Sequence, residues 1–173
     1  MTVETGREVV GASEGRLLFQ GGGQSAVFDL VVDATGARSA IARDLGTRQI
    51  GSKRRDLAWG ALWGTMPWPG APFDVGALEQ VYRGASRMIG VLPCGARPDA
   101  PAVPLATFFW SLKTEGYDVW RAAGLEAWKA EVLSLWPEVE PVVAAITDPD
   151  DLTLARYGHH TLTRPVADRL AVV

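Results

Sequence analysis

The chain has 173 residues, 47% of them apolar, and a formal net charge of −3, enough for about one domain with a sizeable core. The mildly acidic balance and a single short basic cluster, Lys53-Arg54-Arg55, exclude a nucleic-acid-binding surface, which needs clustered cations. A lone cysteine, Cys94, allows no intrachain disulfide, no apolar run approaches the roughly 20 residues of a membrane span, and Met1 to Val10 lack a secretory pattern, so the expectation is a cytoplasmic protein without a membrane partner.

In chain order, Glu8 to Gly11 and Arg16 to Gln20 read as short strands joined at Ser13-Glu14-Gly15, and Gly21-Gly22-Gly23 is a turn. Phe28 to Asp33 reads as a third strand, apolar enough to be buried on both faces. A tight turn at Thr35-Gly36 then opens a helix over about Arg38 to Leu45. From Leu57 to Thr65 large and small residues alternate with period two: Leu57, Trp59, Ala61, Trp63 and Thr65 against Ala58, Gly60, Leu62 and Gly64. Pro67-Trp68-Pro69-Gly70 breaks this strand. Leu78 to Arg83 and Arg87 to Leu92 form a hairpin through Gly84-Ala85-Ser86. A Pro/Gly-rich loop is expected over Pro93 to Pro101, and a further strand over Leu105 to Leu112.

The period then becomes helical. Tyr117 to Ala122 begins a helical region, and Leu125, Trp128, Val132, Leu135 and Trp136 share one apolar face that Pro137 ends. Val139, Val142, Val143 and Ile146 mark a second short helix. Leu152 to Leu162 and Arg169 to Val173 return to strand. Strands first and helices later predict an α+β fold, a mostly antiparallel curved sheet packed with helices.

Phe28 to Arg43 carries the most specific signal. A strand that ends on a glycine turn and opens a helix presents backbone N–H groups to an anion. The run resembles the "D-G-A-R-S" element of the FAD-dependent monooxygenases related to p-hydroxybenzoate hydroxylase. Gly36, Ala37, Arg38 and Ser39 match it; the motif's Asp falls on Thr35, and the helix Arg falls one place late, at Arg43. The order of elements is similar to the substrate-binding domain of the same enzymes. The resemblance implies residues 1–46 as part of an FAD-binding domain, 47–165 as the substrate-binding domain, and 166–173 as a strand returning to the FAD-binding domain. It also implies a fragment of a longer enzyme, since neither the G-x-G-x-x-G fingerprint nor the "G-D" motif occurs in the chain.

Under that resemblance the implied cofactors are FAD, held in part by Gly36, Arg38 and Ser39, and NAD(P)H as reductant. The flavin does the chemistry, so no catalytic side chain is assigned and no metal is expected. The partner is then a small aromatic or otherwise apolar substrate. Candidate substrate contacts are Trp59, Trp63, Trp110, Arg156 and His159; for each, core packing or a solvated strand position is the competing explanation. His159 and His160, adjacent on a strand, point to opposite faces and cannot ligate one metal together. Two other readings stay open: a flavoprotein of the halogenase or isoprenoid-reductase type, which Asp33-Ala34-Thr35-Gly36 also fits, and a non-catalytic module that binds an apolar ligand on its sheet. The fragment reading predicts inactivity of this chain alone, and exposed apolar strands at Phe28 to Val32 and Leu170 to Val173 through which it self-associates.

Overall fold

The computed structural model describes residues 2–173. The chain divides into two compact units, residues 1–56 with 158–173, and residues 57–157. Residues 47–56 and 158–165, expected with the substrate-binding domain, thus lie in the first unit.

In the first unit, β1 (Val9–Ser13) and β2 (Arg16–Phe19) form an antiparallel hairpin. Its turn places Glu14 and Gly15 at positive φ, 50° and 75°, the conformation a two-residue hairpin loop requires. β3 (Val31–Asp33) lies parallel to β10 (Leu170–Val172), and β9 (Val166–Ala167), which the sequence did not reveal, pairs antiparallel with β10. Helix α1 (Ala40–Thr47) follows β3. Val31, Ile41 and Leu170 form this unit's small core, with Val9, Ala12, Leu17, Leu45 and Val172 packed against them.

The expectation that Phe28 to Asp33 is buried on both faces is corrected; the exposure that the fragment reading predicts is found at Phe28, Leu30 and Val32, but not at Leu170, which is buried. Only Val31 and Asp33 are buried; Phe28, Leu30 and Val32 are 46%, 57% and 55% exposed. The strand is three residues long and paired on one side only. Its pleat turns Val31 and Asp33 to the covered face and Val32 to the open one.

The second unit holds the curved, five-stranded sheet, ordered β5-β6-β7-β4-β8, and three helices. Its strands are β4 (Lys53–Pro67), β5 (Glu79–Arg83), β6 (Arg87–Arg97), β7 (Ala100–Lys113) and β8 (Thr153–Thr161); β4 and β8 carry the chain between the two units. The β5–β6, β6–β7 and β7–β4 pairs are all antiparallel. The fold is α+β, as the order of elements implied. The loop expected over Pro93 to Pro101 is instead the tip of the β6–β7 ribbon. Pro93 has no N–H to give to the ladder, and the register shifts between Pro93 and Gly95 absorb the mismatch.

Helices α2 (Tyr117–Ala123), α3 (Leu125–Leu135) and α4 (Glu140–Ala144) follow β7. Gly124, at φ 78°, separates α2 from α3, a conformation that a side chain would strain. The apolar face read from α3 is the buried one: Trp128, Val132 and Trp136 join Leu62, Ile89, Phe108, Trp110, Val142 and Ile146 in the main core. On β4 the face carrying the small residues, not the tryptophan face, is turned inward. Gly60, Leu62, Gly64 and Met66 are buried while Trp63 is 41% exposed. A Cβ on Gly60 would lie 2.3 Å from the Ala155 carbonyl oxygen, and one on Gly64 2.5 Å from that of Asp151. Glycine is what allows β8 and the segment before it to approach so closely.

Candidate functional site

Among the described residues each unit holds a place with the geometry of a site. The first is the turn after β3. Asp33 is buried at its root, 2% exposed. Its carboxylate accepts hydrogen bonds from the Thr35 backbone N–H (3.1 Å) and the Thr35 hydroxyl (2.6 Å). The Ser39 hydroxyl donates to the other carboxylate oxygen. Burial by itself pushes the Asp33 carboxyl up, but the donors from Ser39 and Thr35 outweigh it and hold the pKa below the ordinary 3.8. Asp33 is therefore an anchor charged at neutral pH, and the turn is fastened to it from within.

Ser39 is also the N-cap of α1. Its side chain accepts from the Ala42 N–H at 2.9 Å, satisfying one of the orphan donors of the first turn. Of the three residues assigned to the cofactor, Ser39 is thus 6% exposed and occupied by Asp33 and Ala42. Gly36 and Arg38 face outward. Gly36 sits at φ 77°, and a Cβ there would meet nothing within 4 Å, so the backbone can be approached directly. The Arg38 guanidinium makes no ion pair or hydrogen bond among the described residues. An open turn at positive φ, an unpaired arginine and a helix N-terminus suit a phosphate-bearing group such as that of FAD. Beside the turn lies an open cleft of about 480 Å³, lined by Gly36, Ala37, His159, His160, Leu162 and Val172 among others. Gly158 brings β8 against it, a Cβ there falling 3.1 Å from that of Ala37.

The second place is in the other unit, among β4, β6, β7, α2 and α3. A cleft of about 500 Å³ is lined by Trp59, Arg87, Trp110, Lys113, Trp120 and Trp128, with smaller residues between them. Trp128 is the hub of its aromatic wall, edge-on to Phe108, Trp110 and Trp120 at 6.0, 6.3 and 5.9 Å between ring centres, a favoured arrangement for aromatic pairs. Trp120 stacks on Tyr117 at 5.7 Å. The indole N–H groups of Trp120 and Trp128 are buried without an acceptor among the described residues, each at a cost of about 1–3 kcal/mol. Arg87 donates to Glu131 (2.9 Å) and lies over the Trp110 ring at 5.6 Å.

The substrate residues expected from sequence are not gathered into one place. Trp59 and Trp110 share the aromatic cleft. Trp63 does not line it; paired with Phe109 in the ladder, it stands on the sheet face opposite the buried Leu62 and Trp110. Arg156 is exposed on β8. His159 lines the cleft beside the Gly36 turn, in the other unit from the tryptophans. Lys113, Trp120 and Glu131 were not singled out from sequence. Trp120 lies three residues from Tyr117 in the helical region, a spacing that puts the two on one face.

The arrangement of the chain has counterparts among solved structures. PqsL from Pseudomonas aeruginosa, a probable FAD-dependent monooxygenase, superposes with a TM-score of 0.61 at 20% identity, over 96% of this chain and 44% of PqsL. The oxygenase of 2-methyl-3-hydroxypyridine-5-carboxylic acid does so with a TM-score of 0.60 at 18% identity, over 96% of this chain and 43% of that one. No protein-family model matches the chain, and no curated protein sequence does. The chain therefore has the fold of a segment of FAD-dependent monooxygenases, spanning less than half the length of the enzymes it resembles.

Proposed function

We infer that this chain is part of an FAD-dependent monooxygenase that hydroxylates an aromatic or other apolar small molecule with NAD(P)H and oxygen. The observation that carries this is the turn at Gly36–Arg38, open to solvent, bearing an unpaired cation and secured from behind by Asp33. It stands within a fold whose neighbours are enzymes of that kind. One neighbour was solved with 2-aminobenzoylacetate and another is named for a pyridine carboxylic acid, which supports an aromatic substrate here.

Bound FAD supplies the redox chemistry and the activation of oxygen. The chain's own residues position and enclose. Gly36 lets the backbone N–H groups approach an anionic phosphate, and Arg38 adds a charge-assisted donor. Ser39 acts through α1, whose start it caps, and through Asp33. The exposed tryptophan Trp63 offers a flat surface for an aromatic ring, Arg156 can pair with a carboxylate, and His159 stands beside the cofactor turn.

The test is expression of this chain joined to the coding sequence that flanks it in the gene. The expected result is a yellow protein whose NAD(P)H oxidation is stimulated by an aromatic substrate, with a product one oxygen heavier. Arg38→Ala should weaken FAD binding at least about tenfold, the loss of one charge-assisted contact. A flanked protein that binds no flavin refutes the reading.

A further inference from the structure

The aromatic cleft of the second unit is walled by Trp110 and Trp128 and reaches Trp59 and Lys113, which pair in the β4–β7 ladder, whereas Trp63 does not line it. We propose that this cleft is a separate binding site for a flat aromatic carboxylate.

Three observations carry the proposal. The walls are indoles held edge-on to one another, leaving about 500 Å³ of open, mostly apolar space, the size and lining of a small-molecule pocket. The charges do not cancel: Arg87 is matched by Glu131, but Lys113 has no ion pair among the described residues. The cleft therefore holds one cation in excess, which selects an anionic ligand. Finally, Trp120 and Trp128 each carry a buried N–H that finds no acceptor in the protein. A ligand oxygen is an acceptor that the described residues do not supply.

The site rests on residues 57–157 alone and does not depend on flavin. The experiment follows the indole N–H signals of the intact chain by ¹⁵N NMR during titration with naphthalene-2-carboxylate and with the neutral carboxamide. The expected result is saturable movement of the Trp110, Trp120 and Trp128 signals with Trp63 unmoved. Ala127, exposed on α3 and lining the cleft, supplies the blocking variant. Ala127→Trp should fill the space and weaken the carboxylate at least about tenfold, with an unchanged Trp63 signal reporting an intact sheet. Lys113→Gln should remove a preference for carboxylate over carboxamide of about threefold, the size of a solvent-exposed ion pair. The proposal is overturned if no signal saturates at millimolar probe, if Trp63 moves in place of the cleft indoles, or if Ala127→Trp binds as well as the parent. A flanked protein that fails to bind FAD, beside a chain that gives the expected indole shifts, refutes the flavin reading and leaves this one standing.

Discussion

Replacing Ser39 by alanine tests the turn most directly, because one hydroxyl holds two elements at once. It accepts from the Ala42 N–H as the cap of α1 and donates to the buried Asp33 carboxylate. Loss of the cap costs about 1 kcal/mol. Loss of the donor leaves a buried carboxylate oxygen without its partner, about 1–3 kcal/mol more. For a chain of this size, a total near 3 kcal/mol corresponds to a fall in Tm of about 6–12 °C. All seven tryptophans lie between Trp59 and Trp136, in the second unit, so their fluorescence does not observe the turn. The assay is far-UV circular dichroism together with amide exchange at Ala42 and along β3 and β10. Ser39→Thr keeps the hydroxyl and should recover most of the loss.

The pH dependence gives the same experiment a second, signed readout. Asp33 is held below its ordinary pKa of 3.8, so its contribution is fully present above that value and is lost as pH falls through the lower native pKa. Ser39→Ala removes one of the donors that lower it. The gap in stability between the parent and the variant should therefore be widest near neutral pH and shrink below about pH 4. The reasoning is refuted if Ser39→Ala costs under about 0.5 kcal/mol, the scale of an ordinary surface change. It also fails if Ser39→Thr is as damaging as alanine.

Three further outcomes are expected. Gly60→Ala should destabilise by about 1–3 kcal/mol or more, since its Cβ would meet the Ala155 carbonyl oxygen at 2.3 Å; Gly116→Ala, with nothing within 4 Å, is the control, and equal urea midpoints would show the contact to be unimportant. Phe28, Leu30 and Val32 leave apolar side chains exposed at β3 and just before it, so light scattering after size exclusion should detect self-association that Leu30→Lys reduces; a clean monomer favours the non-catalytic module. The purified chain alone should show no flavin absorbance, because the turn supplies only part of a nucleotide site; a protein that stays yellow through gel filtration contradicts this.

The parts of the fold legible in the sequence are those where one period dominates. Trp128, Val132 and Trp136 repeat at helical spacing and are buried together, and the β4 alternation is a strand. Which β4 face is inward was not legible. Size points to the tryptophans, but Gly60 and Gly64 are inward because a crossing backbone needs the room they leave. Such an approach is set by a segment nearly a hundred residues away, on which local pattern is silent. Burial of Phe28 to Val32 was misread for a related reason: an apolar strand reads the same whether or not its neighbours are present. The aromatic cleft was half legible, since Trp59 and Trp110 were apparent as aromatics on strands while the helix-borne Trp120 and the charge of Lys113 enter only through the packing of α2 and α3.

The departure at Thr35 is explained from inside the turn. Its hydroxyl lies 2.6 Å from Asp33, which is itself buried and bonded to Ser39. A carboxylate at position 35 would bring a second negative charge beside Asp33 and, ionised, could not donate to it. Asp33 and Thr35 are therefore one choice, not two. With the acid at 33, the residue before Gly36 has to donate, and threonine does so by side chain and backbone alike. The negative charge is drawn inward as a clasp, and Arg38 is left outward without a competing acid beside it. Such a turn presents an outward cation and an approachable backbone with its carboxylate turned inward, an arrangement suited to holding a phosphate.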